Sequence, residues 1–393
     1  MSFESNAVRR FVGPLATEIF AVCRPDSSEA EGIVPQTRRV YGSMESILSS
    51  AGGSWEHVEQ EWVHVRRIRE AMTPFVQARH DCVASSGGET TFFPASTFIQ
   101  QPPLDRRLLL ELAFHAVIPA ASAMKATAPA VQKSSCSCGE CTPPAVRLRA
   151  QNGFQHLRAG GLHGVAGPAY QEAYSMYHAA ERILGLAGMS FHDVVRTWIY
   201  LRDIERDYAA FNRARRDFYR ELGLRVLPAS TGIAGSPYAA PHDFLMSLHA
   251  VRSSGPVRVQ VMTTPTLNDA PVYGSDFSRG LRVEDGNKVT LFLSGTASVD
   301  ERGSTAHPGN LSGQLDRMLL NISTLLARQD ASLADLVLLT GYLKDPDDAA
   351  TLREALRRQR LDHLPGVMVH AAVCREDLLC EMEAIAALPL PEK

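Results

Sequence analysis

The chain has 393 residues, of which 45% are hydrophobic and 21% are charged, a composition typical of a globular protein with two or three domains. Its net charge of −3 offers no basic surface for nucleic acid or for an anionic membrane. No apolar run approaches the roughly 18 residues of a membrane helix, and Glu18 interrupts the apolar stretch 11–23, so no signal peptide is expected. Seven cysteines, an odd number, argue against a secreted disulfide framework. We expect a soluble cytoplasmic protein with neither nucleic-acid nor membrane partners.

Three segments of the chain repeat one pattern: Met44–Ile68, Ala180–Ile204 and Ile322–Pro346. Each predicts the end of an amphipathic helix, a turn, a serine suited to capping and a short apolar run. The capping serines are Ser54, Ser190 and Ser332. A period near 135–140 residues is too long for a solenoid repeat and suits a small domain.

Periodicity predicts the other elements in chain order. In the first unit the opening strands are indistinct and the closing strand is Leu108–Val117. The second unit contains a hairpin, two helices and a closing strand: 155–161 with 162–164, Gln171–Leu186, Tyr208–Leu222 and Phe244–Val251. The third unit repeats that order: 288–294 with 296–299, Gln314–Ala327, Asp348–Gln359 and Leu378–Ala386.

These elements predict three α+β units in which helices cover one face of a mixed sheet. The expected boundaries are 1–120, 145–255 and 256–393. Residues 121–144 are small, polar and partly cysteine, and they form the predicted linker between the first two units.

The third unit resembles the RidA/YjgF superfamily. Three segments carry the resemblance: Tyr273–Arg279 (YGSDFSR), Leu293–Thr296 (LSGT) and Leu379–Ala386 (LCEMEAIA). Proteins of that superfamily form trimers whose ligand clefts lie between subunits. The resemblance therefore implies three tandem RidA-like (chorismate-mutase-like) α+β units that form a pseudo-trimer within one monomeric chain.

Within that superfamily, units two and three are most similar to the chorismatases, which hydrolyse chorismate or convert it to hydroxybenzoates. The segments that carry this similarity are Arg196–Tyr200, Pro228–Ile233, Tyr273–Gly274, Ser294–Ala297 and Cys374–Leu378. The most specific of them is the sequence CREDL at Cys374–Leu378, followed by Glu381.

Glu381 and Glu383 are two residues apart on the closing strand and so share one face. Aligning the closing strands places Ala113 and Ser247 at the position of Glu381, which predicts paired carboxylates in the third unit alone. A carboxyl group in a half-buried cleft has a raised pKa and can deliver a proton. The resemblance implies that Glu381 protonates the enolpyruvyl side chain of the ligand. A water-facing carboxylate or a salt bridge is the alternative.

Cys374 lies seven residues before Glu381. In the chorismatase resemblance, Cys374 and Gly295 go with the branch that forms 3-hydroxybenzoate, whereas the hydrolysing branch has alanine at both positions. A cysteine in a cleft can act as a nucleophile or a proton carrier, and a small buried hydrophobe is the alternative.

Three arginines are candidates for binding a carboxylate substrate, because a planar guanidinium binds a carboxylate through two hydrogen bonds. They are Arg196, Arg215 and Arg279. The alternative for Arg215 is a solvated basic helix face, since arginine also stands at 213, 216 and 220. Tyr273 and Thr231 are expected to add hydroxyl hydrogen bonds.

Cys136, Cys138 and Cys141 could bind a thiophilic metal, although no fourth ligand is nearby and a reduced or redox-sensitive linker is the alternative. No nucleotide-binding loop, HExxH motif or GxSxG motif is present, and no cofactor is expected.

The first functional hypothesis is therefore a chorismatase-like enzyme of secondary metabolism, a lyase or hydrolase, that makes 3-hydroxybenzoate and pyruvate. The second is a RidA-like hydrolase of imines or enamines. Deaminating RidA proteins carry an arginine after Pro-Ala, whereas this chain has Ser96 and Ser230 there and Val367 at the matching place in the third unit. The third hypothesis is a small-molecule binder without catalysis. We expect one active cleft, at a junction between units.

Overall fold

The computed structural model describes residues 6–25, 32–85, 94–120, 125–127, 144–255, 257–269 and 275–391. Tyr273, Cys136, Cys138 and Cys141 lie outside the described residues. The described chain forms three mixed sheets, each packed against helices, which confirms the α+β class. None of the helices among these residues is long and apolar enough to cross a membrane.

The first sheet has the strand order β1-β2-β5-β3-β4, in which only β3 and β4 are parallel. Two helices, α1 and α2, accompany it. The elements are β1 (Asn6–Val12), β2 (Ala16–Cys23), α1 (Ile33–Ser50), β3 (Val58–Val65), α2 (Ile68–Ser85), β4 (Ala95–Gln100) and β5 (Leu110–Pro119).

The second sheet has the order β10-β9-β11-β8-β7-β6 and is covered by α3 and α4. Its elements are β6 (Lys125–Thr127), β7 (Ala145–Gln151), β8 (Phe154–Leu162), α3 (Ala169–Leu186), β9 (Val194–Leu201), α4 (Ile204–Leu222), β10 (Ala229–Ala234) and β11 (Phe244–Ser253). Strand β6 falls inside the segment that was predicted as a linker.

The third sheet has the order β12-β13-β14-β17-β15-β16 and is covered by α5 and α6. Its elements are β12 (Arg258–Val261), β13 (Gly280–Glu284), β14 (Val289–Ala297), α5 (Leu311–Ala327), β15 (Leu336–Leu343), α6 (Ala349–Arg358), β16 (Gly366–His370) and β17 (Cys380–Leu388).

The two predicted hairpins were wrong in their turns. In the second sheet the chain turns at Asn152–Gly153, both with positive φ, so β7 pairs with β8 and residues 155–162 form one strand. In the third sheet the turn lies between β13 and β14. Gly295 does not turn the chain, because it lies at a bulge where the register of β14 against β17 shifts.

The capping serines are confirmed. Each precedes a single 3₁₀ turn and exchanges hydrogen bonds with the third residue of that turn: Ser54 with His57, Ser190 with Asp193 and Ser332 with Asp335. A strand follows at once in every case, so the serine fixes the point at which the chain enters the sheet.

The sheets meet through their parallel edge strands. Strand β4 packs against β7 and β8, strand β10 against β13 and β14, and strand β16 against β5. Backbone hydrogen bonds cross these junctions; for example, the Ser278 amide donates to Pro228 O at 3.0 Å and the Leu104 amide donates to Met368 O at 3.0 Å. The chain therefore closes on itself around three junctions.

A buried ion pair lies beside the junction of the first and second sheets. Nε of Arg79 on α2 donates to Glu61 on β3 at 2.9 Å, and Tyr41 and Ser96 also donate to the Glu61 carboxylate. Both charged side chains are buried. Arg79 thus finds its counter-charge inside the protein.

Glu61→Gln should destabilise the fold by about 3–5 kcal/mol, because it leaves the buried Arg79 cation without a carboxylate. The matched control is Glu354→Gln, whose partner Arg357 is exposed, and whose loss should cost at most about 1 kcal/mol. Chemical denaturation of the two variants measures the difference. Equal losses would show that the Arg79–Glu61 pair has no special role in stability.

Candidate active site at the junction of the second and third sheets

A cavity of about 260 Å³ opens where β10 and α4 of the second sheet unit face β14 and β17 of the third. Five of the polar residues that line it were named in the sequence analysis above. These are Arg215, Ser230, Arg279, Cys374 and Glu381. The structure therefore brings together, from two units, residues that lie as far as 166 positions apart in the chain.

Arg215 is a buried cation on α4, with 1% of its surface exposed. Its Nη2 donates to Asn212 Oδ1 at 2.7 Å, and its Nε is buried without a hydrogen-bond partner. The rings of Phe211 and Phe277 lie 5.0 and 5.5 Å from the guanidinium carbon. Among the described residues Arg215 forms no ion pair, so its charge is available to an anion that enters the cavity.

Arg215 is not part of a solvent-exposed basic helix face, which was the alternative, although other arginines of the same helix are exposed. Arg213 and Arg220 are exposed, and Arg216 pairs with Asp276 at 3.0 Å. Of these four arginines on α4, only Arg215 lines the cavity.

Arg279 reaches the cavity from the residue just before β13. Its Nε donates to the Asn268 carbonyl at 2.9 Å, and its guanidinium lies 5.6 Å from the Phe277 ring. Arg215 and Arg279 therefore flank the same aromatic ring, and two guanidinium groups line one cavity.

Glu381 projects from β17 into the cavity and is 6% exposed. Burial, together with the negative charge of Glu383, raises the pKa of the Glu381 carboxyl to about 8, although Arg279 and Arg196 act in the opposite direction. At neutral pH this carboxyl is mostly protonated, and it can deliver a proton to a ligand in the cavity.

Cys374 lines the cavity near Glu381. Burial, with a further contribution from the nearby Glu381 carboxyl, raises the pKa of the thiol to about 12. The thiol is therefore neutral at physiological pH. This environment favours a proton carrier or hydrogen-bond donor over a thiolate nucleophile.

Gly295 allows the Glu381 carboxyl to approach β14 closely. A Cβ atom at this position would overlap Glu381 Oε1 and would lie 3.0 Å from Thr231 Cγ2. By contrast, a Cβ atom on Gly232, across the cavity, would meet only Tyr208 at 3.6 Å and Phe211 at 3.9 Å, which are ordinary contacts.

Two of the predicted ligand-binding residues do not line the cavity. Arg196 is buried behind its wall and donates to Glu383 Oε2 and to Thr231 Oγ1, each at 2.6 Å. The Thr231 hydroxyl also accepts the Gly295 amide at 3.0 Å. Both residues therefore support the wall of the cavity.

The alignment of the closing strands was wrong by two residues. Glu381 pairs in register with Tyr342, and the repeat places His64 and Tyr200 at the same point, where they pair with Glu111 and Leu245. The first unit thus has a carboxylate at this position after all. Glu111 is buried at the junction of the first and third sheets, where Arg24 donates to it at 3.0 Å.

Four further side chains line the cavity and were not predicted: Tyr208, Asn212, Phe277 and Arg375. Tyr208, Asn212 and Arg215 follow the four- and three-residue spacing of one helix face, and this pattern was a signal that could have identified them. Phe277 and Arg375 lie inside the motif segments Tyr273–Arg279 and Cys374–Leu378, and their place in these segments was the signal for them.

Known proteins match different shares of this chain. The family described as endoribonuclease L-PSP matches residues 268–388. A RutC family protein of Pyrococcus abyssi is 33% identical over 118 residues, which are 30% of this chain and 90% of that protein. The 3-hydroxybenzoate synthase of Streptomyces hygroscopicus is 30% identical over 226 residues, which are 51% of this chain and 65% of the relative, just under two thirds of its length.

Two chorismatases extend the comparison. The chorismatase of Streptomyces rapamycinicus is 25% identical over 237 residues, which are 54% of this chain and 69% of that protein. A chorismatase crystal structure aligns with 95% of this chain and 99% of its own, with a TM-score of 0.62 and 17% identity. At this identity the alignment shows a shared fold.

Gly295→Ala should destabilise the protein by about 1–3 kcal/mol, because the new methyl group has to displace the Glu381 carboxyl. Gly232→Ala is the matched control and should be tolerated. In the double variant Gly295→Ala, Glu381→Ala, the cost of the added methyl should fall, because the overlapping carboxyl is gone. Thermal unfolding of the four proteins tests this coupling, and strictly additive effects would contradict it.

Proposed function

This chain belongs to the RidA/YjgF superfamily, to which its RutC relatives connect it, and from this premise we propose that it is a chorismatase-like enzyme that converts chorismate to 3-hydroxybenzoate and pyruvate. The observation that carries the proposal is the buried Glu381 carboxyl, which lines one cavity with the guanidinium groups of Arg215 and Arg279. We further propose that the three units span 1–120, 145–255 and 256–393 and act as one monomeric pseudo-trimer.

The cavity suits a dianionic ligand. Chorismate carries two carboxylates, and Arg215 and Arg279 supply two cations on either side of Phe277. Arg215 forms no ion pair among the described residues and gains most from a ligand carboxylate, because its guanidinium has already lost its contact with water on folding and attraction between charges is strong in a buried site. Arg215 is therefore the primary anchor in this proposal, and Arg279 the second.

The proposed reaction begins with proton transfer from Glu381 to the terminal methylene carbon of the enolpyruvyl group. The methylene becomes the methyl group of pyruvate, and the ether to the ring is cleaved. As the bond between the ether oxygen and the ring breaks, the oxygen of the neighbouring ring hydroxyl forms a bond to the same ring carbon and loses its proton. This proton balances the one that Glu381 gave, and the ring is left as an epoxide. The bond between the epoxide oxygen and its original carbon then breaks, and a proton moves from the other epoxide carbon to the oxygen, which gives the phenol of 3-hydroxybenzoate. The ether oxygen becomes the ketone of pyruvate, so no water is consumed.

Cys374 and Gly295 support this outcome over hydrolysis. Both residues match the branch that forms 3-hydroxybenzoate, and the neutral Cys374 thiol can carry a proton near Glu381. Imine hydrolysis of the RidA kind is less well supported, because Ser230 occupies the cavity position at which that chemistry uses an arginine.

Purified protein incubated with chorismate should release pyruvate and 3-hydroxybenzoate, followed by chromatography. Glu381→Gln should lower turnover by about 10²–10⁴-fold, because the amide cannot deliver the proton. Glu376→Gln, an exposed glutamate in the same segment, is the matched control and should be fully active. Turnover should also fall as the pH rises through about 8, where Glu381 loses its proton.

Unchanged turnover in Glu381→Gln would contradict the mechanism, and no consumption of chorismate by the unmodified protein would contradict the substrate.

Cys374→Ala should change the product. We expect pyruvate release to continue while the aromatic product gives way to a hydrolysis product, because the hydrolysing branch carries alanine here. The control is Cys380→Ala, a buried cysteine outside the cavity, which should leave the product ratio unchanged. Retention of 3-hydroxybenzoate as the sole aromatic product in Cys374→Ala would show that the thiol does not direct the reaction.

A further inference from the structure

Arg196 connects the second sheet to the strand that carries Glu381. It lies on β9, is 1% exposed, and its guanidinium carbon is 4.8 Å from the centre of the Trp198 ring. One nitrogen, Nη2, donates both to Glu383 Oε2 in the third sheet and to Thr231 Oγ1 in the second. Arg196 therefore holds one residue on each side of the junction.

The first of these two partners, Glu383, connects Arg196 to Glu381 because both glutamates lie on β17. The two glutamates lie two residues apart on β17 and share one face. Their carboxyl groups have different surroundings, because Glu383 is ion-paired with Arg196 whereas Glu381 faces the cavity. The ion pair keeps the charge of Glu383 in a fixed place beside Glu381.

The second partner, Thr231, connects Arg196 to Glu381 through Gly295 on β14. Thr231 accepts one hydrogen bond from Arg196 and one from the Gly295 amide, so it ties the bulge of β14 to Arg196. Gly295 is the residue against which the Glu381 carboxyl packs. The Glu381 side chain thus lies between its own strand, β17, and the bulge of β14. Arg196 is linked to β17 through Glu383 and to the bulge through Thr231.

We propose that Arg196 is a positioning residue that fixes the Glu381 carboxyl at the cavity wall through Glu383 and through the Thr231–Gly295 contact. The role of Glu381 as a proton donor rests on the proposed function, whereas the placement of its carboxyl does not. Arg196 touches no ligand in this proposal, which distinguishes it from the substrate-binding role that the sequence suggested.

The proposal predicts opposite effects of the two members of the ion pair on titration. Glu383→Gln removes a neighbouring negative charge and should lower the pKa of Glu381 by roughly one to three units. Arg196→Gln removes a cation that lowers the pKa of Glu381 and should therefore raise that pKa. The other titratable or charged groups that face Glu381 stay unchanged in both variants: Arg215, Tyr208, Arg279, Tyr342, Cys374 and Arg375.

The experiment is a pH titration of the full chain followed by carboxyl infrared bands, with Glu381→Gln and Glu383→Gln used to assign them. Arg196→Lys retains the cation and loses the planar fork, so it should leave the titration close to that of the unmodified protein while turnover of chorismate falls. Arg225→Gln, an exposed arginine outside the cavity, is the control and should change neither quantity.

The titration needs no substrate, so it separates the two proposals. Shifted carboxyl titrations in a protein that does not consume chorismate would support the role of Arg196 and overturn the proposed function. If Glu383→Gln and Arg196→Gln stay folded by circular dichroism and leave the Glu381 titration unmoved, Arg196 is not a positioning residue. Unchanged turnover in Arg196→Lys would overturn the orienting part of its role.

Discussion

A guanidinium group that is buried in a protein needs a counter-charge, and this requirement distinguishes the junctions between the three sheets. Arg79 and Arg215 occupy matching positions on α2 and α4, each with a tyrosine 38 residues before it, Tyr41 and Tyr177. In the first unit Glu61, opposite Ser96 on the neighbouring strand, neutralises Arg79. In the second unit Thr197 stands opposite Ser230, and Arg215 forms no ion pair within the part of the chain that the structure describes.

At the junction of the first and third sheets it is a buried carboxylate that has a counter-charge. Glu111 occupies the position of Glu381, and Arg24 neutralises it there. The equivalent of Arg24 next to Glu381 is Ala297, which pairs with Glu381 in register and cannot carry a charge. The cavity thus lies at the junction where the positions of Glu61 and Arg24 are taken by the uncharged Thr197 and Ala297, and Arg215 and Glu381 both line it.

Much of the fold was accessible from the sequence because helices and capped turns are local. The four predicted helices and the capping serines depend on spacings of a few residues. The hairpin of the third unit was placed wrongly because it was divided at Gly295, and a bulge favours glycine as a turn does. The register of the closing strands and the support role of Arg196 depend on pairing between distant segments, for which one sequence holds no local signal.

The bulge at Gly295 and the paired edges of β10 and β14 have a consequence for how such a protein can change over generations. In an assembly of identical subunits, a substitution is copied into every site at once, and a harmful side effect is copied with it. Within this chain each junction is built from its own residues, so a substitution at one junction is not copied into the other two. The Arg79–Glu61 ion pair of the first unit and the Arg196–Glu383 ion pair beside Glu381 can therefore change without either change being imposed on the other.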